Sequence, residues 1–223
     1  MTTYCDLPVC FCWTRFGTEA GQTIEQILIR KEQERQANKG TFFWGIGNSV
    51  GPGIDALVRR CSNPEVLFSP IKGTPRFVDV APESVVAWTL AETLSGEEYP
   101  LPRHSLITSR QNNSSSKRTH YALVCSSDSP LSLPVPTSEL SFRNLRNVLS
   151  GKPLGVSQIT AIVTRDKSDQ QAGVVYKVSL RANLAPPYFL RLRNPEAIPV
   201  NGDSGKNWAG RVHSVWQERM SSC

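Results

Sequence analysis

Residues 41–53 read TFFWGIGNSVGPG: an aromatic run stops at Gly45, and three more glycines follow by residue 53. The sequence GIDALVRRC, which has the pattern of a short helix, comes next. Glycines between a strand and a helix either cradle a phosphate with free backbone N–H groups or make a tight turn at the mouth of another kind of pocket. The choice between these two interpretations separates a nucleotide enzyme from a binding module.

The named phosphate-binding motifs do not fit this segment. A dinucleotide fingerprint requires G-x-G-x-x-G and an acidic residue at the end of the following strand. Here the spacing is G-x-G-x-x-x-G, and the strand EVLFSPIKG ends with Ser69 and Lys72. The lysine and hydroxyl pair of a P-loop is also missing from the segment. Asn48 and Ser49, just ahead of the helix, suit an anion or the polar edge of a base, and a purely structural turn is the alternative.

A β-α-β order surrounds the segment. VCFCWTRF (9–16) and TFFW (41–44) are predicted strands, and GQTIEQILIRKEQERQANKG (21–40) is predicted to be a helix with Thr23 and Gln26 in a capping box. One face of this helix is apolar and the other is polar. The residues expected on the two faces are Ile24, Ile27 and Leu28 toward the core, and Glu32, Glu34 and Arg35 toward water. Further predicted strands are EVLFSPI, RFVDVA, SVVAWTLA and HYALVCS.

Residues 95–150 are expected to be an insertion into a single domain of residues 1–223. Its segment SRQNNSSSKRT has no apolar residue, which predicts a mobile basic loop. The basic residues of this loop are Arg110, Lys117 and Arg118. The following SELSFRNLRNVLSG predicts an amphipathic helix over 138–150. In the alternative that the protein is a protein-interaction subunit, the apolar face of this helix would dock on a partner. The residues of that face are Phe142, Leu145 and Leu149.

The last third of the chain predicts strands with basic outer faces. In VVYKVSLR, the residues at positions 174, 176, 178 and 180 share one face and the basic residues share the other; YFLRLR alternates in the same way. The basic residues are Lys177, Arg181, Arg191 and Arg193. Paired strands would form a basic patch that binds backbone phosphates, and an ordinary solvated sheet face is the alternative.

The charge distribution also points to a polyanion. The net charge is +6, with 9 Lys and Arg against 12 Asp and Glu in residues 1–98, and 16 against 7 in residues 99–223. Such asymmetry is typical of contact with nucleic acid, DNA or RNA. With no stretch of about 20 apolar residues and no signal-peptide pattern, we expect a soluble cytoplasmic protein that does not bind a membrane.

Few residues are candidates for catalysis or for metal binding. Cys10 and Cys12 lie in an alternating strand without a second cysteine pair, which favours small buried residues over a metal site. His104 or His120 would transfer protons in an enzyme that processes nucleotides or nucleic acid, but no cluster has metal-ligand or catalytic spacing. We therefore expect no metal and no cofactor, and a binding module more than an enzyme.

Two tryptophans suggest how a base would be bound. Trp13 and Trp44 each end a predicted strand just before a turn. If the two strands are neighbours, the indoles would line one pocket mouth and stack on a flipped or modified base, while Asn48 and Ser49 read its edge. The alternative is that both tryptophans are core residues.

The order of elements resembles the PUA-like superfamily, in particular its EVE and ASCH branches. The resemblance covers residues 9–72 and 156–193 and lies in the element order and in aromatic and polar residues at strand ends. The EVE opening pattern of tryptophan followed by Lys-x-Glu-Pro is replaced by WTRFGTE. The resemblance implies an α+β fold, a mixed β-barrel or strongly curved sheet with flanking helices, and recognition of RNA or a modified DNA base in an aromatic pocket.

Overall fold

The computed structural model describes residues 7–20, 22–71, 85–102, 104–109, 120–131, 138–155, 157–166 and 175–197. This part of the chain contains two α-helices, α1 (Ile24–Ala37) and α2 (Gly51–Arg60). It also contains twelve strands: β1 (Cys10–Phe16), β2 (Thr41–Ile46), β3 (Glu65–Pro70), β4 (Val85–Thr93), β5 (Glu98–Pro100), β6 (Leu106–Ser109), β7 (Tyr121–Ser126), β8 (Ser138–Ser141), β9 (Leu145–Asn147), β10 (Thr160–Arg165), β11 (Val175–Val178) and β12 (Leu180–Ala197). The predicted strand RFVDVA and the loop residues Arg110, Lys117 and Arg118 lie outside the described residues.

Ten of these strands form one mixed sheet. Its order is β2-β7-β12-β3-β1-β10-β9, with β4 paired to β12 and both β5 and β6 paired to β4. The pair β1–β3 is parallel, and the other described pairs of this sheet are antiparallel. In the described residues the order runs from one edge strand, β2, to another, β9, so the expected barrel is not closed. The broader expectation, an α+β fold with a large sheet, is confirmed.

Strand β12 bends the sheet. Its first residues pair with β3, and from Leu190 onward it pairs with β4, while β7 lies along both parts. The register with β7 shifts between Leu184 and Phe189, and such a bulge increases the local twist. The strands β4, β5 and β6 therefore cover one face of β2 and β7 instead of extending a flat sheet.

Strand alternation divides the interior into three clusters. In β1, Cys10 and Cys12 face a central cluster that also receives α1 and α2, whereas Phe11 and Trp13 face a second cluster on the opposite side. In β2, Trp44 faces the central cluster and Phe43 faces the third cluster beneath β4 and β6. The expectation that both N-terminal thiols share one buried face is confirmed.

The predicted helix over 138–150 is wrong. Residues 138–141 form β8, Phe142–Asn144 form one 3-10 turn, and residues 145–147 form β9. Strand β8 pairs with β11 and β9 pairs with β10, so sheet hydrogen bonds override a helical periodicity that spans only about three turns. Of the apolar face expected to dock on a partner protein, Leu145 is fully buried in the second cluster and Leu149 is exposed, so the expected helical face does not form. A protein partner stays a prediction.

The described parts of residues 95–150 contribute four strands to the main sheet. They supply β5, β6 and β9, and also β7, which lies between β2 and β12 in the strand order. The separate ribbon β8–β11 covers the second cluster, and the chain leaves it at Ser179 to enter β12. For this reason Tyr176 and Val178 face the second cluster but Leu180 faces the central one, not a single shared face as predicted. No described helix is long and apolar enough to cross a membrane.

Candidate cleft beside β2

The four glycines of TFFWGIGNSVGPG serve two purposes. Gly51 and Gly53 lie in the first turn of α2, where a Cβ on Gly53 would approach Ile162 Cγ1 to 2.8 Å. These glycines therefore let α2 pack closely against β10 and β12. Gly45 and Gly47 instead lie at the exit of β2 and line a cleft, with exposed backbone. The segment is thus a pocket mouth joined to a closely packed helix.

The cleft has a volume of about 410 Å³. Its walls come from the ends of β1 and β2, from α1, from β6, and from the segments that precede β7 and β10. The aromatic side chains among its lining residues are Phe16, Trp44, His120 and Tyr121. The volume lies toward the lower end of the range of about 300–1,000 Å³ that is typical of small-molecule pockets.

Trp44 is a fixed part of the cleft wall. Its ring contacts Phe16 edge to face at 5.8 Å and Phe68 at 4.8 Å between centroids, and only 6% of the residue is exposed. The half-buried Tyr121 stacks on Phe189 at 5.1 Å. These rings are held by core packing, so the cleft keeps its shape without a ligand.

The structure does not bring Trp13 and Trp44 together. Strands β1 and β2 are separated by β3, β12 and β7, and the two indoles lie on opposite faces of the sheet. Trp13 is fully buried, donates from Nε1 to Ser69 Oγ at 3.1 Å and packs on Tyr176. The expectation that these two tryptophans form opposite walls of one pocket is wrong, because the strands are not neighbours.

Asn48 and Ser49 flank the cleft without lining it. Both are exposed, and Asn48 Nδ2 donates to the Thr160 carbonyl at 3.3 Å, which ties the exit of β2 to the start of β10. Below that contact, the hydroxyls of Thr14 and Thr160 share a hydrogen bond of 2.9 Å across β1 and β10. Asn48 therefore positions the mouth of the cleft in this structure.

One wall of the cleft contains charged residues of α1 that were not singled out from the sequence. Arg30 and Lys31 of α1 line the cleft and are 5% and 3% exposed, and Glu34 one turn later is fully buried, so the expectation that Glu34 faces water is wrong. Lys31 Nζ donates to Glu34 Oε2 at 2.8 Å and to the carbonyls of Phe43 and Ser105. The Phe43 N–H donates to Glu34 Oε1 at 2.8 Å.

Arg30 attaches the same helix to the turn before β6. Its Nη1 donates to the carbonyls of His104 and Ser105 at 3.2 and 2.7 Å, and its Nη2 donates to Gln22 Oε1 at 3.0 Å. His104 has a backbone φ of +63°, a left-handed conformation that is uncommon for a residue with a side chain. The two cations of α1 thus hold this turn in place at the cleft wall.

Burial is the main cause of the pKa shifts of Arg30, Lys31 and Glu34. It lowers the pKa of Lys31 to about 8 and that of Arg30 to about 10, against the opposing attraction of Glu34. It also raises the pKa of Glu34, against the attraction of Lys31. Because two cations, Arg30 and Lys31, lie beside one carboxylate, Glu34, the three side chains together carry a positive charge at neutral pH.

Two polar atoms of this wall are unused. Among the described residues, Arg30 Nε and Ser105 Oγ are closed to solvent and have no hydrogen-bond partner. A buried polar group without a partner costs about 1–3 kcal/mol. Such groups are rare in folded proteins, and each one calls for a physical reason.

The expected phosphate-binding residues occupy three separate places. Arg181 pairs with Glu65 at 2.7 Å and Arg193 pairs with Glu92 at 2.5 Å, while Lys177 lies opposite Glu139 in the β8–β11 register. Arg191 is exposed on β12 beside Tyr121 of the cleft in the strand register. A single continuous basic patch is therefore not formed by these four residues.

Neither histidine shows a catalytic arrangement in the described residues. His120 lines the cleft and its ring lies 5.0 Å from that of Trp88, while His104 offers its carbonyl to Arg30. Burial raises the pKa of Cys10 to about 11 and raises that of Cys12 and Cys125, which disfavours nucleophilic thiolates. No group of three or more potential metal ligands occurs in the described part of the chain.

Comparisons with known protein families, with curated proteins and with solved structures found no match for this chain. Function is therefore inferred from the cleft and from the charge of the chain.

Arg30, Lys31 and Ser105 line the cleft but were not predicted from the sequence to do so. The sequence of α1 does contain a pattern that indicates their burial. From Ile27, steps of three or four residues lead to Arg30 or Lys31 and then to Glu34, so these charged residues continue the apolar stripe of the helix. A charged pair that continues a buried stripe indicates a buried ion pair or a site.

Proposed function

We propose that the protein is a nucleic-acid-binding module whose cleft takes one base turned out of its strand. The observation that carries this proposal is a cleft of about 410 Å³ with Trp44, Phe16 and Tyr121 in its walls and the backbone of Gly45 and Gly47 at its mouth. Aromatic walls pack on the flat face of a base, and backbone and hydroxyl groups bind its edge.

Charge supports the same assignment. The net charge of +6 is concentrated in residues 99–223, and Arg191 lies next to a cleft-lining strand residue. The resemblance of the element order to the PUA-like superfamily also favours base recognition, and in this proposal the curved sheet with α1 and α2 is a PUA-like fold. The nucleic acid is DNA or RNA, and the base is modified or flipped.

Binding of labelled oligonucleotides tests the proposal. Short single strands and duplexes of DNA and RNA, unmodified or carrying a panel of modified bases, would be titrated by fluorescence anisotropy at about 50 and about 200 mM salt. We expect binding that weakens with salt and depends on the base offered to the cleft. The absence of binding to every oligonucleotide at the lower salt concentration would overturn the proposal.

The variant Trp44→Phe distinguishes binding in the cleft from binding to the basic surface. The smaller ring keeps most of the core packing but reduces the wall, so we expect a loss of about 3- to 10-fold in affinity for the preferred base. Trp13→Phe is the matched control, since Trp13 is buried on the opposite face of the sheet. Equal losses in both variants would contradict the assignment of the cleft, and thermal melting would verify that both fold.

A further inference from the structure

One edge of strand β2 is not paired with any described strand. The other edge pairs with β7 along the whole strand. Helix α1 covers part of the unpaired edge, because the Phe43 N–H donates to Glu34 Oε1 at 2.8 Å and the Phe43 carbonyl accepts from Lys31 Nζ. Both backbone groups of Phe43 therefore point away from β7.

The next residue whose backbone groups point in this direction is Gly45. In an antiparallel pair, residues that bond to the partner strand alternate with residues whose N–H and C=O point to the other side, so Gly45 follows Phe43. Gly45 is exposed and lines the cleft. No described residue forms a hydrogen bond with its N–H or its C=O on this side. The cleft thus contains one backbone donor and one backbone acceptor side by side, both open to a ligand.

The fold itself does not require a glycine at position 45. Gly45 is not among the described glycines with a positive φ, so a residue with a side chain could adopt its backbone conformation. A Cβ at this position would lie 3.4 Å from Leu106 Cδ2, which is an ordinary contact with a flexible side chain. A glycine inside a strand often marks a place where a ligand approaches the backbone closely. Close approach of a ligand to the edge of β2 accounts for this glycine.

We propose that the Gly45 N–H and C=O bind the Watson–Crick edge of the base in the cleft. The inference rests on the proposed function in taking the ligand to be a base. The Watson–Crick edge of each base carries a hydrogen-bond donor next to an acceptor, as a neighbouring strand does, and in a pyrimidine no other edge carries both. The N–H of Gly45 donates to the acceptor of the base, and its carbonyl accepts from the donor. The side of a pyrimidine that carries C5 then points away from β2, so a substituent on C5 is compatible with binding and a substituent on N3 is not.

Pairs of isomeric methylated bases test the inference. In 3-methyluracil the methyl group replaces the proton on the Watson–Crick edge, whereas in 5-methyluracil the same methyl group lies on the other side of the ring, and both bases are neutral. The purine pair is 1-methylguanine and 8-methylguanine. Each base would occupy one unpaired position in the same oligonucleotide, titrated against the full chain by fluorescence anisotropy. In the pair that binds more tightly, we expect the isomer with a blocked Watson–Crick edge to bind at least about tenfold more weakly than the other. Equal affinities within that pair, or the opposite preference, would overturn the inference.

Two substitutions of Gly45 locate the contact. Gly45→Pro removes the N–H and keeps the carbonyl, and an edge strand tolerates proline where the missing N–H would have pointed away from the partner strand. We expect this variant to reduce the preference between the isomers about 3- to 10-fold. Gly45→Ala is the matched control, since it keeps both backbone groups and should keep the preference even where its side chain weakens binding of both isomers. Equal losses of preference in the two variants, both verified as folded by thermal melting, would place the Watson–Crick edge elsewhere.

The amide resonance of Gly45 reports the same contact in the unsubstituted chain. In protein labelled with ¹⁵N-glycine, the resonance that is absent from Gly45→Ala identifies Gly45. We expect it to move downfield when the oligonucleotide with 5-methyluracil binds, and much less with the 3-methyl isomer, while the amide of Gly53, packed against Ile162, stays in place. A Gly45 amide that does not respond to bound oligonucleotide would overturn the inference, whether or not Gly45→Pro folds.

Free nucleosides distinguish the failure of this inference from the failure of the proposed function. Oligonucleotides whose affinity depends on the base but not on which isomer is present would overturn this inference and leave the proposed function standing. Free 5-methyluridine that moves the Gly45 amide, together with no binding of any oligonucleotide, would overturn the proposed function and support the edge of β2 as a site for a free heterocycle. No binding of either kind would overturn both.

Discussion

Gly53 and Gly47 lie six residues apart, and only Gly53 is confined by close packing. A Cβ on Gly53 would lie 2.8 Å from Ile162 Cγ1 and 3.0 Å from Ile162 Cβ, deep in the interface between α2 and β10. We expect Gly53→Ala to lower the free energy of unfolding by about 1–3 kcal/mol, because a β-branched core residue cannot move aside freely. Urea denaturation measures this loss.

Gly47→Ala is the control for that substitution. A Cβ at Gly47 would have no neighbour within 4 Å, so its effect on stability should stay within about 0.5 kcal/mol. Because Gly47 lines the cleft, the same variant is also informative in binding experiments. A larger loss of stability for Gly47→Ala than for Gly53→Ala would contradict the two roles assigned to these glycines.

The helix α1 offers two ion pairs with the same spacing and different surroundings. Lys31–Glu34 and Arg35–Glu32 are both separated by three positions, but the first pair is almost fully buried and the second is in contact with solvent. We expect Glu34→Gln to destabilise the protein by about 3–5 kcal/mol, since it leaves the Lys31 ammonium buried without a counter-charge. Glu32→Gln should cost about 1 kcal/mol or less.

Thermal and urea denaturation of the two variants would be compared under the same conditions. The double variant Lys31→Met with Glu34→Leu should recover part of the loss caused by Glu34→Gln, because it removes both buried charges together. If Glu34→Gln and Glu32→Gln cost the same, the buried pair would not be what attaches α1 to β2 and to the turn before β6.

The local patterns predicted α1 and the strands next to it well. The capping box at Thr23 and Gln26 forms as predicted, and β1, β2, β3 and β4 lie where alternation and aromatic content placed them. The segment 138–150 was mispredicted because its apolar spacing fits both a helix and strands interrupted by a turn. Pairing with β10 and β11, which lie far away in the sequence, decided between them.

The cleft was only partly predictable for a related reason. The exit of β2 was recognisable from its glycines, and Trp44 does line the cleft. The partnership with Trp13 depended on which strands are neighbours, and the insertion of β7, β12 and β3 between β1 and β2 is set by contacts distant in sequence. Arg30 and Ser105 meet across 75 positions of the chain, a distance over which no local pattern extends.

The positive charge of the chain is distributed unevenly over the folded surface. Arg181 and Arg193 each bind a glutamate on a neighbouring strand, so much of their charge is compensated. Arg191 has no ion pair among the described residues and lies beside Tyr121 and Glu92 in the strand register. Nucleic acid that enters the cleft would therefore place a phosphate near Arg191 before it reached Arg181.

This arrangement predicts unequal effects of two arginine substitutions on binding. Arg191→Gln should weaken binding to all oligonucleotides alike and reduce the slope of log affinity against log salt by about 1, because one phosphate contact is lost. Arg181→Gln should change both quantities much less, since Glu65 already neutralises that side chain. Anisotropy titrations of both variants over a range of salt concentrations measure the slopes. Equal slopes for the two variants would show that the phosphate backbone does not follow β12 past the cleft. A loss of affinity confined to oligonucleotides with one particular base would show that Arg191 contacts the base and not the phosphates.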